Sequence, residues 1–472
     1  MSARSTRLPL GRITAALISR TNLRTGSVPP NACPNRHERL WNISVPKLQR
    51  AQRFLRPVLV FGAVGALAIV IYASIILAAR GGGRTLQHWL GKLFCQIVRA
   101  TDGGVVKIAQ ILATRSDLLT PAFLASLSCL HNKAFTRSAT ESLETLSKKT
   151  RAALAKRYRM DEVPSTLAGS AAQIHRAIDR TTGAAIAIKI IRPDTRRVTI
   201  RDAVLLRRLA LRLGRLTTFH NIPLFAAVAV VCRQVVLQFD LNREGNTQRQ
   251  IASVLASGGV RIPNVASMSD KSVLAMEWID GLRPIDEIGS DPERRDVALQ
   301  CLRLLYRLIF VHGWVHCDFH PGNVLLDPVG QLVLLDFGLV TRIGEVDRRS
   351  LAKFFLAIAS NDPASGLEVI LDRADSVTDQ ANIAELEHDL EILFDRTSRK
   401  TASEFQLADF VRHLFLLQAR HGVRSTTAFT VPIVALGVLE GGLKKWHSEI
   451  DFQREAIPFV LEALDTGEGA TS

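Results

Sequence analysis

The chain has 472 residues, 47% of them hydrophobic, and a formal net charge of +16. This length and apolar content exclude a disordered or collagen-like chain and suit one large domain, or two ordinary ones with appendages. The excess of basic over acidic residues is compatible with nucleic acid, an anionic membrane surface or an anionic substrate as the partner.

The excess charge is concentrated in a basic tail at the N terminus. Residues 1–57 contain eleven Lys and Arg and one acid, Glu38, which is a net charge of +10. The remainder is only mildly basic and carries no RNA-binding or zinc-finger pattern, so we expect no nucleic-acid partner. Residues 1–30 are rich in Arg, Ser and Thr and lack acids. That composition fits either a mitochondrial transit peptide or a basic tail on a bacterial protein.

Residues 58–79 form an apolar run of 22 residues without a charge, VLVFGAVGALAIVIYASIILAA. A helix that spans a bilayer needs about 20 such residues. We therefore predict one transmembrane helix and a lipid-membrane partner, which makes this a single-pass protein of a bacterial or mitochondrial inner membrane. Arginines flank the run on both sides, so the charges do not set its orientation.

Beyond this segment the sequence pattern changes twice. Apolar residues recur at helical spacing over residues 85–160, which predicts a helical extension. In residues 161–285, IHRAIDRTTGAAIAIKIIRP predicts two strands joined by a Thr-Gly turn, and VLAMEWIDG predicts another strand. Helical patterns return over residues 286–465, interrupted by the short strands NVLL and QLVLLD around a Pro-Val-Gly turn. A small mixed lobe before a larger helical lobe predicts an α+β, bilobal protein-kinase-like fold.

Two further patterns concern the core. The stretch FTVPIVALGVL near residues 429–439 is too short to span a membrane, and we predict a core helix of the second lobe. The six cysteines form no CxxC pair and no cluster with metal-ligand spacing. We therefore predict buried free thiols rather than disulfides.

The most informative motif is HCDFHPGN at residues 316–323, followed by DFG at residues 336–338. Phosphoryl transfer needs a carboxylate that orients the attacking hydroxyl and hard oxygen ligands for Mg²⁺. We predict Asp318 as the catalytic carboxylate, with Asn323 and Asp336 as the metal ligands. This chemistry implies ATP and Mg²⁺ as cofactors.

Lys189 closes the apolar strand AIAIK. Removing a cation from water at this place costs free energy unless an anion pairs with it. In a kinase small lobe, that anion is the phosphate chain of the nucleotide.

These motifs resemble the UbiB (AarF-type) family of atypical kinase-like proteins over about residues 102–458. The resemblance is carried by KIAQILATRSDLLTPAFLASLSCL, LAGSAAQIHRA with IAIKIIRP, FDLNREGN, and the HCDFHPGN and LDFG pair. It implies that ATP is bound by Lys189, by its helix partner Glu244, by Glu277 at the adenine hinge, and by an alanine-rich loop with the start of the next strand. The loop and strand residues are Leu167, Ala168, Gly169, Ser170, Ala171, Ala172, Gln173 and Ile174. The resemblance also implies a lid helix that carries Lys107 and Gln110.

Three positions depart from the family pattern. Ala109 replaces the glycine of the KxGQ motif, and Gly169 replaces an alanine of the loop. Gln238 stands where the ExD motif has a carboxylate, so a hydrogen bond from Lys107 would lack charge assistance there. We expect an ATP site that is less restrained than the family norm.

The resemblance implies a membrane-associated, ATP-dependent enzyme, either an ATPase or a small-molecule phosphotransferase. It would support ubiquinone or isoprenoid-lipid biosynthesis, with proteins of that pathway as partners. An aminoglycoside- or choline-kinase-like phosphotransferase is one alternative, because HxDxHPGN with DFG suits it, but the KIAQ extension and the apolar segment disfavour it. A non-catalytic nucleotide-binding scaffold of a membrane complex is another, and the intact catalytic motifs disfavour it.

Overall fold

The computed structural model describes residues 83–101, 121–126, 138–161, 172–213, 232–233, 235–256, 258–319, 322–398, 404–444 and 446–465, with residues 62, 66, 70, 74 and 109 as single positions. None of the helices in these ranges is both long and apolar enough to cross a membrane. The predicted transmembrane segment 58–79 lies outside the described residues except at four positions. Of these, Val70 and Ser74 are buried, and Ser74 Oγ donates to Oε1 of Gln87 at 2.5 Å.

Short helices precede the main sheet. They are α1 Arg84–Thr101, α2 Pro121–Ser126, α3 Ala139–Glu144 and α4 Lys148–Arg157. Helix α1 packs closely on α2, because a Cβ on Gly91 would lie only 2.7 Å from the carbonyl oxygen of Phe123. Ser138 and Glu141 form a capping box at the start of α3. In the described part of residues 85–160, helices therefore extend as far as Arg157.

An antiparallel sheet of five strands follows. The strands and helices of this half are β1 Tyr158–Met160, β2 Ala172–Asp179, β3 Ala185–Ile191, α5 Pro193–Leu213, α6 Leu241–Val254, β4 Val260–Arg261, β5 Val265–Ser269 and β6 Val273–Glu277. The sheet order is β1-β2-β3-β6-β5, so its first strand lies within the range predicted as the helical extension. The predicted β2–β3 hairpin is confirmed, and Gly183 supplies the positive φ of 71° in its turn.

The two faces of this sheet pack against different helices. Because side chains alternate along a strand, Ile186, Ile188 and Ile190 of β3 face one cluster, which includes Leu154 and Tyr158 from the α4–β1 region. Ala187 and Ile191 face the other cluster, which contains residues of α1, α5 and α6. Lys189 shares the second face and therefore points towards α6.

The second half is mainly helical. Its elements are β7 Arg283–Pro284, α7 Asp291–Tyr306, β8 Trp314–His316, β9 Val324–Leu326, β10 Leu332–Leu334, β11 Val340–Arg342, α8 Glu345–Ala359, α9 Pro363–Asp372, β12 Ala374–Val377, α10 Ile383–Ser398, α11 Leu407–Arg420, β13 Val423–Ser425, α12 Thr427–Leu443 and α13 Phe452–Asp465. One sheet has the order β4-β10-β9-β7, and β8 pairs with β11. The predicted β9–β10 hairpin is confirmed, as is the core helix, since Phe429, Ile433 and Leu436 of α12 are buried in the main core.

The chain turns sharply before it enters β8. Helix α7 continues into a π-helical turn at Arg307–Val311, and Gly313 follows with a φ of 68°. A Cβ at Gly313 would lie 3.1 Å from the carbonyl oxygen of Ile343, so both its conformation and its close packing require glycine. This turn directs β8 towards the HCDFHPGN motif.

Among the described residues, the prediction of free thiols is wrong at Cys95. Cys232, Cys301 and Cys317 are reduced thiols, but Cys95 is disulfide-bonded. Its partner lies outside the described residues. Cysteine spacing along the sequence does not reveal which thiols the fold brings within bonding distance.

Candidate functional site

Lys189 lies at the centre of a buried group of charges. Its Nζ donates to Oε1 of Glu244 at 2.7 Å and lies 3.3 Å from Oδ1 of Asp336. The side chains of Lys189 and Glu244 are 11% and 3% exposed, whereas that of Asp336 is 41% exposed. The predicted contact between Lys189 and Glu244 is therefore present, and it extends to the first residue of the DFG motif.

Helix α6 presents Glu244 to the lysine from its first turn. Asp240 is the N-cap of this helix, and its Oδ1 accepts a hydrogen bond from the backbone N–H of Arg243 at 3.1 Å. Such a cap satisfies a backbone donor that the helix itself leaves unpaired. Farther along α6, Gln248 Nε2 donates to the carbonyl oxygen of Pro263 at 2.6 Å. The cap fixes the first turn of the helix, and the bond from Gln248 ties the helix to the chain just before β5, a strand of the sheet that carries Lys189.

The HCDFHPGN motif and the DFG motif are joined by hydrogen bonds around Asn323. Its Nδ2 donates to the carbonyl oxygen of Asp318 at 2.9 Å. The backbone carbonyl oxygen of Asn323 accepts a hydrogen bond from the N–H of Leu335 at 2.8 Å. Leu335 is the residue before Asp336. The fold thereby brings together Asp318, Asn323 and Asp336, the three residues predicted for catalysis and metal binding.

Asp336 has a backbone conformation that few residues adopt. Its φ is 53°, and Asp and Asn tolerate this left-handed region better than other non-glycine residues. Its Oδ1 accepts from the N–H of Gly338 at 3.1 Å. A Cβ on Gly338 would lie 3.2 Å from that Oδ1 and 3.4 Å from Oε2 of Glu244, so the glycine lets both carboxylates approach the backbone.

Opposing effects set the charges of this group. Burial lowers the pKa of Lys189, but the carboxylates of Asp336 and Glu244 outweigh it and raise that pKa above its ordinary value. Burial also raises the pKa of Glu244, against the attraction of Lys189. Desolvation would raise the pKa of Asp336, but Lys189 and the N–H of Gly338 outweigh it and lower that pKa to about 2. At neutral pH the site therefore holds a protonated lysine beside an ionised Asp336.

His316 is buried between the two motifs. Burial lowers its pKa below the ordinary value, against the charges of Asp318 and Asp336, so the ring is neutral at neutral pH. Its Nδ1 accepts from the N–H of Asp318 at 3.4 Å. The ring packs edge-on against Phe319 and Phe337, with centroids 5.6 and 5.9 Å away. His316 therefore supports the loop that carries Asp318.

Glu277 lies at the end of β6, where the adenine hinge was predicted. Its carboxylate accepts from Arg261 Nη2 at 2.5 Å and from the N–H of Asn264 at 3.1 Å. These contacts occupy the side chain, and the backbone N–H of Glu277 donates to the carbonyl oxygen of Asn264 at 2.8 Å, so neither group is free to bind a nucleotide base.

The remaining predicted residues divide between described and undescribed parts of the chain. Ala172, Gln173 and Ile174 are the first residues of β2, and Ile174 lies directly opposite Lys189 in the sheet. The loop residues Leu167, Ala168, Gly169, Ser170 and Ala171 and the lid residues Lys107 and Gln110 lie outside the described residues. Gln238 lies against the DFG segment, because a Cβ on Gly338 would be 3.7 Å from its Cγ. Its Oε1 is buried and has no hydrogen-bond partner among the described residues.

The oxygen ligands suit Mg²⁺ bound together with a nucleotide. Among the described residues, no group of three or more His, Cys, Asp or Glu could hold a metal ion. Mg²⁺ commonly takes one or two protein oxygens and completes its shell with phosphate and water. Asn323 uses Nδ2 for its bond to Asp318, which leaves Oδ1 for a cation, and the carboxylate of Asp336 is partly exposed. These two residues therefore fit a nucleotide-bound magnesium ion.

One residue of this site was missed in the sequence. Arg243, next to Glu244, donates from Nη2 to the carbonyl oxygen of Val340 at 2.7 Å and from Nη1 to that of Gly338 at 3.5 Å. No local pattern reveals these contacts, because their acceptors are backbone atoms almost a hundred residues away. The only available signal was its position beside the predicted lysine partner.

Comparison with known proteins gives a consistent result. Residues 129–370 match the family model for the ABC1 atypical kinase-like domain. The uncharacterized protein slr0889 of Synechocystis is 27% identical over 333 residues, which cover 67% of this chain and 80% of that protein. AarF domain-containing protein kinase 1 of Xenopus laevis is 28% identical over 270 residues, which cover 55% of this chain and 51% of that protein.

Two further matches complete the comparison. The probable protein kinase UbiB of Vibrio vulnificus is 24% identical over 367 residues, which cover 76% of this chain and 67% of that protein. A solved structure, the complex of Rv3197 with erythromycin from Mycobacterium tuberculosis, has a TM-score of 0.48 and 18% identity, and the match covers 84% of this chain and 98% of that one. The family model spans half of the sequence, and the family predicted from the motifs is confirmed: the chain belongs to the ABC1 (AarF/UbiB-type) atypical kinase-like family.

Proposed function

We propose that this chain is a membrane-associated enzyme that binds ATP with Mg²⁺ between strand β3 and the HCDFHPGN and DFG motifs. It hydrolyses the nucleotide or transfers its γ-phosphoryl group to a small molecule, and it thereby supports ubiquinone or isoprenoid-lipid biosynthesis. The observation that carries the ATP-dependent part is the position of Lys189, held by Glu244 and 3.3 Å from Asp336. Membership of the family supports the link to ubiquinone biosynthesis.

The roles of the residues follow from their chemistry. Lys189 stays protonated and binds phosphate oxygens, while Glu244 fixes the direction of its side chain. Asp318 orients the attacking hydroxyl or water and accepts its proton. Asn323 and Asp336 would hold Mg²⁺, which neutralises charge on the phosphates when bound. His316 and Asn323 keep the backbone around Asp318 in place.

Nucleotide binding by the purified full-length chain tests the ATP-dependent part. The wild type is expected to bind ATP in the presence of Mg²⁺ and to hydrolyse it slowly or on addition of an acceptor. Asp336→Asn should weaken binding with Mg²⁺ at least tenfold while the fold persists, because Asn also tolerates a positive φ. Asp379→Asn is the matched control, since Asp379 lies on an exposed turn after β12. Equal binding by the two variants would overturn the assigned role of Asp336.

The metabolic part needs a separate measurement. Quinone and its precursors are quantified in cells that carry either the wild type or Asp336→Asn in place of the chromosomal copy. The variant is expected to lower quinone and to accumulate a precursor, whereas Asp379→Asn should not. Unchanged levels of quinone and its precursors would contradict the role in quinone biosynthesis but not the proposed ATP site. ATP turnover of the wild type and of Asp318→Asn separates an enzyme from a nucleotide-binding scaffold, because a scaffold binds ATP but shows no Asp318-dependent turnover.

A further inference from the structure

Arg243 connects helix α6 to the backbone that follows Asp336. It is half-buried in the first turn of the helix, directly before Glu244. Its Nη2 donates to the carbonyl oxygen of Val340 at 2.7 Å, and its Nη1 lies 3.5 Å from that of Gly338. Two adjacent residues of one helix thus reach the DFG region by different routes, Glu244 through Lys189 and Arg243 directly.

The chemistry of this contact suits arginine. The two carbonyl groups belong to residues two apart in the chain, and a planar guanidinium presents several N–H donors in a fixed fork. Hydrogen bonds from a charged donor are stronger than those between neutral groups. A lysine would place a single ammonium group there and could not reproduce the fork.

The segment that Arg243 holds is also part of the catalytic framework. Val340 begins β11 and pairs with His316 of β8, while the N–H of Cys317 donates to the carbonyl oxygen of Leu339 at 2.9 Å. Residues 338–340 therefore lie between Arg243 on one side and the strand that leads to Asp318 on the other. A shift of this segment would move the backbone next to Asp336.

We propose that Arg243 is a positioning residue that fixes the backbone of residues 338–340 to helix α6, so that Asp336 keeps the orientation in which it holds a divalent cation against the nucleotide phosphates. The inference rests on the proposed function and assigns a role to a residue outside the predicted ATP and metal sites. Arg243 acts through Asp336, whereas the phosphate contact of Lys189 depends on Glu244. Loss of Arg243 should consequently weaken the part of nucleotide binding that depends on Mg²⁺ more than the part that does not.

The experiment measures ATP binding by the full-length chain in excess Mg²⁺ and again in EDTA. Arg243→Met removes the guanidinium and keeps an unbranched side chain, and Arg243→Lys keeps the charge without the fork. Arg249→Met is the matched control on the same helix. Its guanidinium is exposed and donates to Oδ1 of Asn246 at 3.0 Å and to the carbonyl oxygen of Ala266 at 3.4 Å.

Arg243→Met is expected to raise the dissociation constant for ATP at least tenfold in Mg²⁺ and less than twofold in EDTA. Arg243→Lys should fall between this variant and the wild type, and Arg249→Met should match the wild type under both conditions. Hydrogen exchange of residues 338–340 gives a second readout, since these amides should exchange faster in Arg243→Met than in Arg249→Met.

Three results would overturn the proposal in distinguishable ways. Equal affinities of Arg243→Met and Arg249→Met in Mg²⁺ would show that the contact does not position Asp336. An equal loss in Mg²⁺ and EDTA would reduce Arg243 to a general structural role. A wild type that does not bind ATP in Mg²⁺ would remove the proposed function together with the inference. If Arg243→Met does not fold, the same comparison between Arg243→Lys and Arg249→Lys decides the matter.

Discussion

Lys189 and Glu244 form an ion pair that is almost completely removed from water. Two such charges lose much of their hydration on folding, and their mutual attraction together with hydrogen bonding must compensate for this loss. The pair therefore adds little to the stability of the fold. Under the proposed function, it keeps a cation in place for an anionic ligand. Removal of one partner has a different effect, because it leaves the other as a buried, unpaired charge.

Lys189→Met should therefore lower the free energy of unfolding by about 3 kcal/mol, since Glu244 loses its cation in a buried position. The double variant Lys189→Met/Glu244→Leu should regain most of this loss, because apolar side chains then replace both charges. Urea unfolding measures both values. Arg303→Met is the control, since it breaks the exposed contact with Glu455, 2.7 Å long, and such surface pairs contribute less than about 1 kcal/mol. A loss in Lys189→Met no larger than in Arg303→Met would contradict the prediction.

At the scale of secondary structure, local sequence patterns predicted the two hairpins near the site. Alternating β-branched residues and a Thr-Gly turn gave the β2–β3 hairpin, and the Pro-Val-Gly turn gave the β9–β10 hairpin. The contact of Lys189 with Glu244 came from the family resemblance, because 55 residues separate the two. No sequence pattern identified the acceptors of Arg243, since backbone carbonyl groups are the same in every residue and only the fold determines which ones it meets.

The N-cap of helix α6 gives a prediction at this scale. Asp240→Ala removes the acceptor for the N–H of Arg243 and should cost about 1 kcal/mol of stability. Because Arg243 and Glu244 both lie in that first turn, binding of ATP in Mg²⁺ should weaken as well. Asp362→Ala is the matched control, since Asp362 caps α9 through the N–H of Ser365 at 3.0 Å and is not among the residues of the ATP site.

The two cap variants should lose similar stability in urea unfolding, but only Asp240→Ala should lose nucleotide affinity in titration calorimetry. Equal affinities would show that the first turn of α6 keeps its geometry without the cap. An equal loss of affinity in both variants would mean that global destabilisation, not the position of α6, reduces binding.

At the scale of the whole molecule, several contacts between the two halves lie beside the proposed nucleotide site. Lys189 of β3 meets Asp336, and Arg243 of α6 meets Val340. Farther back, Arg261 of β4 lies between Glu277 of β6 and Asp327, with its Nη1 3.5 Å from Oδ2 of Asp327. The proposed ATP site and the contacts between the halves are therefore built from neighbouring residues, so a ligand that bridges Lys189 and Asp336 should also stabilise the packing of the two halves.

Three histidines make the stability of the fold depend on pH. Burial is the main cause that lowers the pKa of His175, His312 and His316 below the ordinary value of 6.5. The unfolded chain therefore binds more protons than the folded chain just below pH 6.5, and the free energy of unfolding must fall as the pH falls through this range. Each histidine contributes a slope of at most about 1.4 kcal/mol per pH unit.

His175 allows this dependence to be tested on the face of the sheet opposite to Lys189, since it pairs with Ile188. It is buried, and its Nε2 bonds to Oγ of Ser142 at 3.0 Å. Urea unfolding at pH 7.5 and 5.5 should show a clear loss of stability at the lower pH for the wild type and a smaller loss for His175→Gln, because one group no longer binds a proton on unfolding. His388→Gln is the matched control, since that side chain is 70% exposed. If His175→Gln and His388→Gln show the same difference, protonation of His175 is not part of the pH dependence, and the slope must come from His312, His316 or the carboxylates.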